Sequence, residues 1–130
     1  MIKYVYKIVL WDVIKTDSKL LEIYVGWEDK LDNDEWYFSN SFESITKGMS
    51  PEEAFNYIPN VIEALFKLDD DFLVWETLYF LIKLYRLADT TQIHPHMESN
   101  WSELTHHIKK FKDSYVTPFK VLMRQLRIKE

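Results

Sequence analysis

The sequence predicts an all-α fold, a compact bundle of antiparallel helices around a central helix near residues 72–88. Three observations carry this reading. From Phe72 to Ala88 almost every residue is apolar or aromatic except Glu76, Thr77, Lys83 and Arg86, and a helix apolar nearly all round packs on several sides. Ser50-Pro51-Glu52-Glu53 is a capping box with Pro at the first helical position and acids in the first turn. Only 2 Gly and 4 Pro occur, which disfavours a turn-rich all-β fold and a glycine-rich phosphate loop.

Along the chain, the first third is ambiguous. Ile2 to Ile14 and Leu20 to Trp27 are rich in β-branched and aromatic residues, with Thr16-Asp17-Ser18-Lys19 between them. Local propensity alone gives a β-hairpin there, and hence an α+β alternative. A two-stranded hairpin is marginal unless it packs on helices, and a buried first helix followed by an irregular connection fits equally well. The helix is the reading adopted. Phe38, Phe42, Ile45 and Met49 then have helical spacing, with Gly48 as a stop signal.

After the capping box, Ala54, Ile58, Val61, Ile62, Leu65 and Phe66 form a helix face. Pro59 lies inside that pattern and donates no backbone bond, so a kink or two abutting helices are expected. Asp69-Asp70-Asp71 opens the central helix, where the dipole favours acids. Asn100 is the expected cap of a helix with Trp101, Leu104, Ile108 and Phe111 on one face. Thr117-Pro118 starts another with Phe119, Leu122, Met123 and Leu126 inward. No repeat, low-complexity tract or linker interrupts residues 1–130, which are expected to form one domain.

An apolar fraction of 47% and an aromatic fraction of 16% supply ample core material. With 5 Trp, 8 Tyr and 8 Phe there are more large rings than one small core needs, so some are expected at the surface, where rings anchor partners. No cysteine is present, which excludes a disulfide scaffold, a thiol nucleophile and a cysteine zinc site. The apolar stretch from Met1 to Asp12 is interrupted by Lys3 and Lys7 and has neither a cleavage site nor the length of a bilayer span, so a cytoplasmic protein is expected.

Net charge is −5 and unevenly spread. Residues 1–105 carry 9 Lys/Arg against 19 Asp/Glu, and residues 106–130 carry 7 against 2. An acidic body suits a basic protein partner better than nucleic acid. The candidate binding segment is Glu28, Asp29, Asp32, Asp34 and Glu35, with Lys30 among them, followed by Trp36 and Tyr37. Clustered acids raise the encounter rate and rings hold the complex. The competing reading is a solvated loop leading into a helix whose rings are core.

Other constellations are weaker. His94, His96, His106 and His107 fall close together, but His106 and His107 point about 100° apart on a helix, and exposed or capping histidines explain them better than zinc. Asp69-Asp70-Asp71 lacks the alternating ligands, Gly turn and distal Glu of a calcium loop. Lys120, Arg124 and Arg127 form a short basic stripe that could take phosphate, although cations at a helix C-terminus already account for it. Gly-x-Ser-x-Gly, His-Glu-x-x-His and Gly-x-Gly-x-x-Gly are all absent. Catalysis, metal and cofactor are therefore not expected.

Several fragments resemble a known group when taken in order. Gly48-Met49-Ser50-Pro51-Glu52-Glu53-Ala54 precedes a helix, Trp75-Glu76-Thr77-Leu78 opens the core helix, Asp89-Thr90-Thr91-Gln92-Ile93-His94-Pro95 follows it, and Asn100-Trp101 comes next. Over about residues 36–128 this order is similar to the small helical bacterial immunity proteins of polymorphic toxin and contact-dependent inhibition systems. The resemblance implies tight binding to a cognate toxin domain, often a nuclease, in the cytoplasm, and brings no catalytic residues. A small regulatory or scaffold domain with a cellular partner is the alternative.

Overall fold

A computed structural model describes residues 17–128, excluding the side chains of 112–114. Seven α-helices and one 3-10 segment, with no strand, make up these described residues: α1 (Ser18–Tyr24), α2 (Trp27–Asn33), α3 (Tyr37–Thr46), α4 (Pro51–Lys67), α5 (Asp71–Ala88), α6 (Pro95–Ile108), the 3-10 segment Lys109–Tyr115, and α7 (Val116–Gln125). None of these helices is long and apolar enough to cross a membrane.

Helices α4 and α5 form a hairpin through the short link 68–70 and make the most extensive helix–helix contact among the described residues. The predicted capping box is present: Ser50 Oγ accepts from the Glu53 amide at 3.1 Å, and Glu53 Oε1 accepts from the Ser50 amide at 3.1 Å. Helix α5 is the central one. Ten of its residues are buried, from Leu73 to Ala88, and α3, α4, the 3-10 segment and α7 all pack on it. Its N-cap is Asp70, whose carboxylate accepts from the amides of Phe72 and Leu73 at 2.9 and 3.2 Å. Its C-terminus is closed by Asp89 in the left-handed conformation, φ 53°.

Several sequence expectations need correction. Of the two outcomes expected at Pro59, a kink or two abutting helices, the second is not found, since α4 runs as one helix over Pro51–Lys67. A proline inside a helix costs about 3 kcal/mol, but each large aliphatic side chain buried on the same face contributes roughly 1.5–3 kcal/mol. Ile58, Val61, Ile62 and Leu65 are all fully buried there, so packing on both sides of Pro59 outweighs the lost bond.

Asn100 does not cap a helix. It sits within α6, its side-chain amide donating to the His96 carbonyl at 2.7 Å. The cap is His94, whose Nδ1 accepts from the His96 amide at 3.0 Å, with Pro95 at the first helical position. At the other end of the chain, α7 begins at Val116 directly after the 3-10 segment, with Pro118 in its first turn. Arg127 lies beyond α7 with φ 59°, so the basic stripe ends at Arg124.

Helix takes the place of both the strand and the irregular connection at Leu20–Tyr24, whereas Ile2–Ile14, the first strand of one reading and the first helix of the other, lies outside the described residues. Leu20 and Ile23 are buried, and Tyr24 and Trp27 pack against the core beside them. That spacing, i, i+3, i+4 and i+7, is a helical face, and tertiary burial overrides β propensity. Gly26 separates α1 from α2 with φ 62°, a backbone state that suits glycine.

Asp17 fastens this first layer to α4. Its amide donates to Asn60 Oδ1 at 3.0 Å, one carboxylate oxygen caps α1 through the Lys19 amide, and the other accepts from the Tyr57 hydroxyl at 2.9 Å. Tyr24 and Thr77 share a hydroxyl hydrogen bond of 2.6 Å that ties α1 to α5.

Candidate functional site

Residues 28–37 are not a loop but a helix, a turn and the start of a second helix. On α2, Trp27 and Leu31 face the core, and Glu28, Asp29 and Asp32 are exposed on the opposite side. Glu28 and Asp29 stand in the first turn, where the helix dipole favours negative charge. Asp34 ends α2, and its carboxylate accepts from the Trp36 amide at 3.0 Å, so this acid holds the turn as well as adding charge. Glu35 is exposed in the turn.

The two predicted rings play different parts. Trp36 is 63% exposed and enters no ring contact among the described residues. Tyr37 is half-buried: its hydroxyl donates to the Ile23 carbonyl at 2.6 Å, and its ring meets Phe38 edge-on at 5.1 Å. The Lys30 ammonium lies 5.7 Å from the Tyr37 centroid, within cation–π range. Tyr37 is a structural tie between α1 and α3, whereas Trp36 is presented to solvent.

A ladder of rings extends this surface onto α5. Trp27 stacks on Phe72 with centroids 5.4 Å apart and planes 14° apart. Phe72 stacks on Trp75 at 6.1 Å, and Trp75 meets Tyr79 edge-on at 4.8 Å. From below, Phe38 abuts Phe72 at 5.8 Å and links the ladder to the core. Trp75 is 36% exposed. The ladder brings the acidic run of residues 28–35 towards a second run, Asp69-Asp70-Asp71, at the start of α5. Asp69 and Asp71 are exposed, whereas Asp70 is engaged in capping.

Glu76, half-buried on α5, has its carboxyl pKa raised by desolvation. The nearby Tyr24 hydroxyl is pushed well above the usual phenol range, chiefly by burial and partly by the charge of Glu76. These ring positions, Phe72, Trp75 and Tyr79, are legible in sequence as one helical face. Their partner Trp27, contributed by α2, is not.

The histidines do not converge. His94 caps α6, and its ring lies 4.8 Å from that of Phe55. His96 pairs with Glu63 at 2.9 Å, linking α6 to α4. His107 Nε2 donates to the Leu68 carbonyl at 3.0 Å, and His106 is exposed. No group of three or more His, Cys, Asp or Glu among the described residues is placed to hold a metal ion.

Comparison with family models, curated proteins and solved structures gives no match to this chain.

Proposed function

We propose that the protein binds a basic protein partner through the acidic aromatic face of α2 and the start of α5, as an immunity protein that neutralises a toxin domain. The observation that carries the binding mode is the Trp27–Phe72–Trp75–Tyr79 ladder with exposed acids on both sides. The ring positions and charges suit the two halves of fast, tight recognition. Exposed acids steer a basic partner and raise its association rate by about 10–1,000-fold, an effect that fades with salt. Exposed Trp36 and Trp75 supply rings of the kind that dominate binding energy once desolvated. The immunity role adds to this the order of sequence fragments over residues 36–128. A basic nucleic-acid-cleaving toxin has the complementary charge.

The test is capture of a toxin domain encoded beside this chain, followed by association rates across a range of ionic strength. Asp29, Asp32 and Glu35 changed together to Lys should slow association strongly at low salt with an unchanged melting transition. Asp34 is left intact because its carboxylate caps the turn. An association rate indifferent to both salt and charge reversal would sink this face as the interface. Failure of the captured toxin to lose activity would sink the immunity role.

A further inference from the structure

We propose that the cavity between α6, the 3-10 segment and α7 binds a small planar aromatic anion, which stacks on the Trp101–Phe119 pair and is held by Lys109 and Lys120. The cavity has a volume of about 370 Å³, a size that suits one small ligand rather than a protein segment. Trp101 and Phe119 lie 5.4 Å apart with planes inclined at 16°, and Tyr115 stands edge-on to Phe119 at 6.0 Å. Aromatic pairs favour offset-stacked and edge-to-face geometry, so a flat guest can continue this arrangement. Met123 closes one wall with an unbranched, polarizable side chain that adapts to a guest.

Charge selects the guest. Lys109 and Lys120 are the charged residues among the described residues that line the cavity, and both are exposed. Neither has an ion-pair partner among the described residues. Lys120 lies in the middle of α7, whereas Arg124 occupies the last turn, so the helix dipole explains Arg124 but not Lys120. Thr105 also lines the cavity, but its hydroxyl donates to the Trp101 carbonyl. Two other cavities among the described residues lack this one-sided charge. One, of about 530 Å³, mixes Asp17 and Glu22 with Lys19 and Lys30; the other, of about 810 Å³, sets Asp89 beside Arg86 and Arg124.

The experiment uses the full isotope-labelled chain and two probes of the same shape, naphthalene-2-carboxylate and neutral 2-naphthalenemethanol, followed by amide chemical shifts. Saturable shifts confined to α6, the 3-10 segment and α7 are expected. Two partly screened charges should favour the acid over the alcohol by about tenfold. Lys109→Gln with Lys120→Gln should remove that preference and leave the alcohol's affinity unchanged, both side chains being exposed and outside the core. Equal affinity of the two probes for the unaltered protein, failure to saturate, or shifts centred on Trp75 would overturn the proposal. None of these outcomes depends on whether a toxin binds the opposite charge on α2.

Discussion

Tyr57 donates its hydroxyl to Asp17 across 2.9 Å, joining the middle of α4 to the residue that caps α1. The two lie 40 positions apart in sequence. Burial is the first cause that pushes the Tyr57 phenol well above its ordinary range, and the Asp17 carboxylate adds to it. The phenol therefore stays protonated and remains a donor at neutral pH.

Tyr57→Phe should cost about 1–2 kcal/mol, since a hydrogen bond to a charged group is lost while the ring stays in place. Urea unfolding with an unchanged slope and a lower midpoint would show this. An unchanged midpoint would mean that water replaces the phenol without loss.

Leu81→Asp should abolish cooperative folding. Leu81 is fully buried at the centre of α5, and an unpaired charge there costs on the order of 4 kcal/mol or more. Leu81→Ala is the graded companion, with an expected loss of about 2–5 kcal/mol. A near-native thermal transition in the Asp variant would remove α5 from the centre of the fold.

Trp36→Ala and Trp27→Ala should differ sharply. Trp36 is solvent-facing, so its removal should leave stability within about 0.5 kcal/mol. Trp27 supports the ladder through Phe72 and Phe38, and its removal should cost about 3 kcal/mol. If both variants melt alike, the ring ladder does not hold α2 in position.

Stability should fall as pH drops from about 6.5 towards 4. Burial is the main cause that lowers the His94 pKa from its ordinary 6.5 to about 4, and neighbouring His96 adds to it. The unfolded chain takes up the proton near 6.5 and the folded one only near 4, so acid favours unfolding across that window. The geometry agrees, because His94 Nδ1 must be unprotonated to accept from the His96 amide. His94→Asn retains a capping side chain and should flatten this slope in urea midpoints measured at pH 7.5 and 4.5. A wild-type midpoint that does not move over this range would contradict the assignment.

Asp89→Gly should stabilise the protein by about 1 kcal/mol, because glycine accepts the left-handed state without strain and an acid at a helix C-terminus opposes the dipole. Asp89 holds φ 53° after α5. A lower melting temperature for the glycine variant would mean that the Asp89 side chain has a stabilising role of its own.

These predictions trace what local chemistry could announce. The capping box at Ser50 and the apolar run in α5 are local signals, and both are legible because neighbours within one helix decide them. The Gly48 stop is equally local: α3 ends at Thr46, and Gly48 takes φ 78°. The start of α6 departs from the sequence expectation because two capping signals compete. Pro95 at the first helical position outweighs Asn100, whose amide turns back to a carbonyl within the helix. At Leu20–Tyr24 the sequence leaves strand and irregular connection open and neither is present, since the core contacts that favour helix come from α3 and α4. The acids of residues 28–35 were visible as a cluster. Their approach to the Asp69–Asp71 run was not, because it rests on Trp27 meeting Phe72, and no periodicity within either helix specifies that pair.

The ring ladder makes the candidate face its own optical probe. Trp27, Trp36 and Trp75 belong to this surface, whereas Trp101 lines the separate cavity near α7. A partner that covers the face changes the polarity around two exposed indoles, so emission shifts to shorter wavelength and external quenchers lose access. The stacked neighbours Trp27, Phe72 and Trp75 sit in a fixed chiral arrangement, which gives near-ultraviolet circular dichroism a handle on the same region. Occupation of the face can thus be followed without a label, and a partner that seats elsewhere leaves those signals where they were.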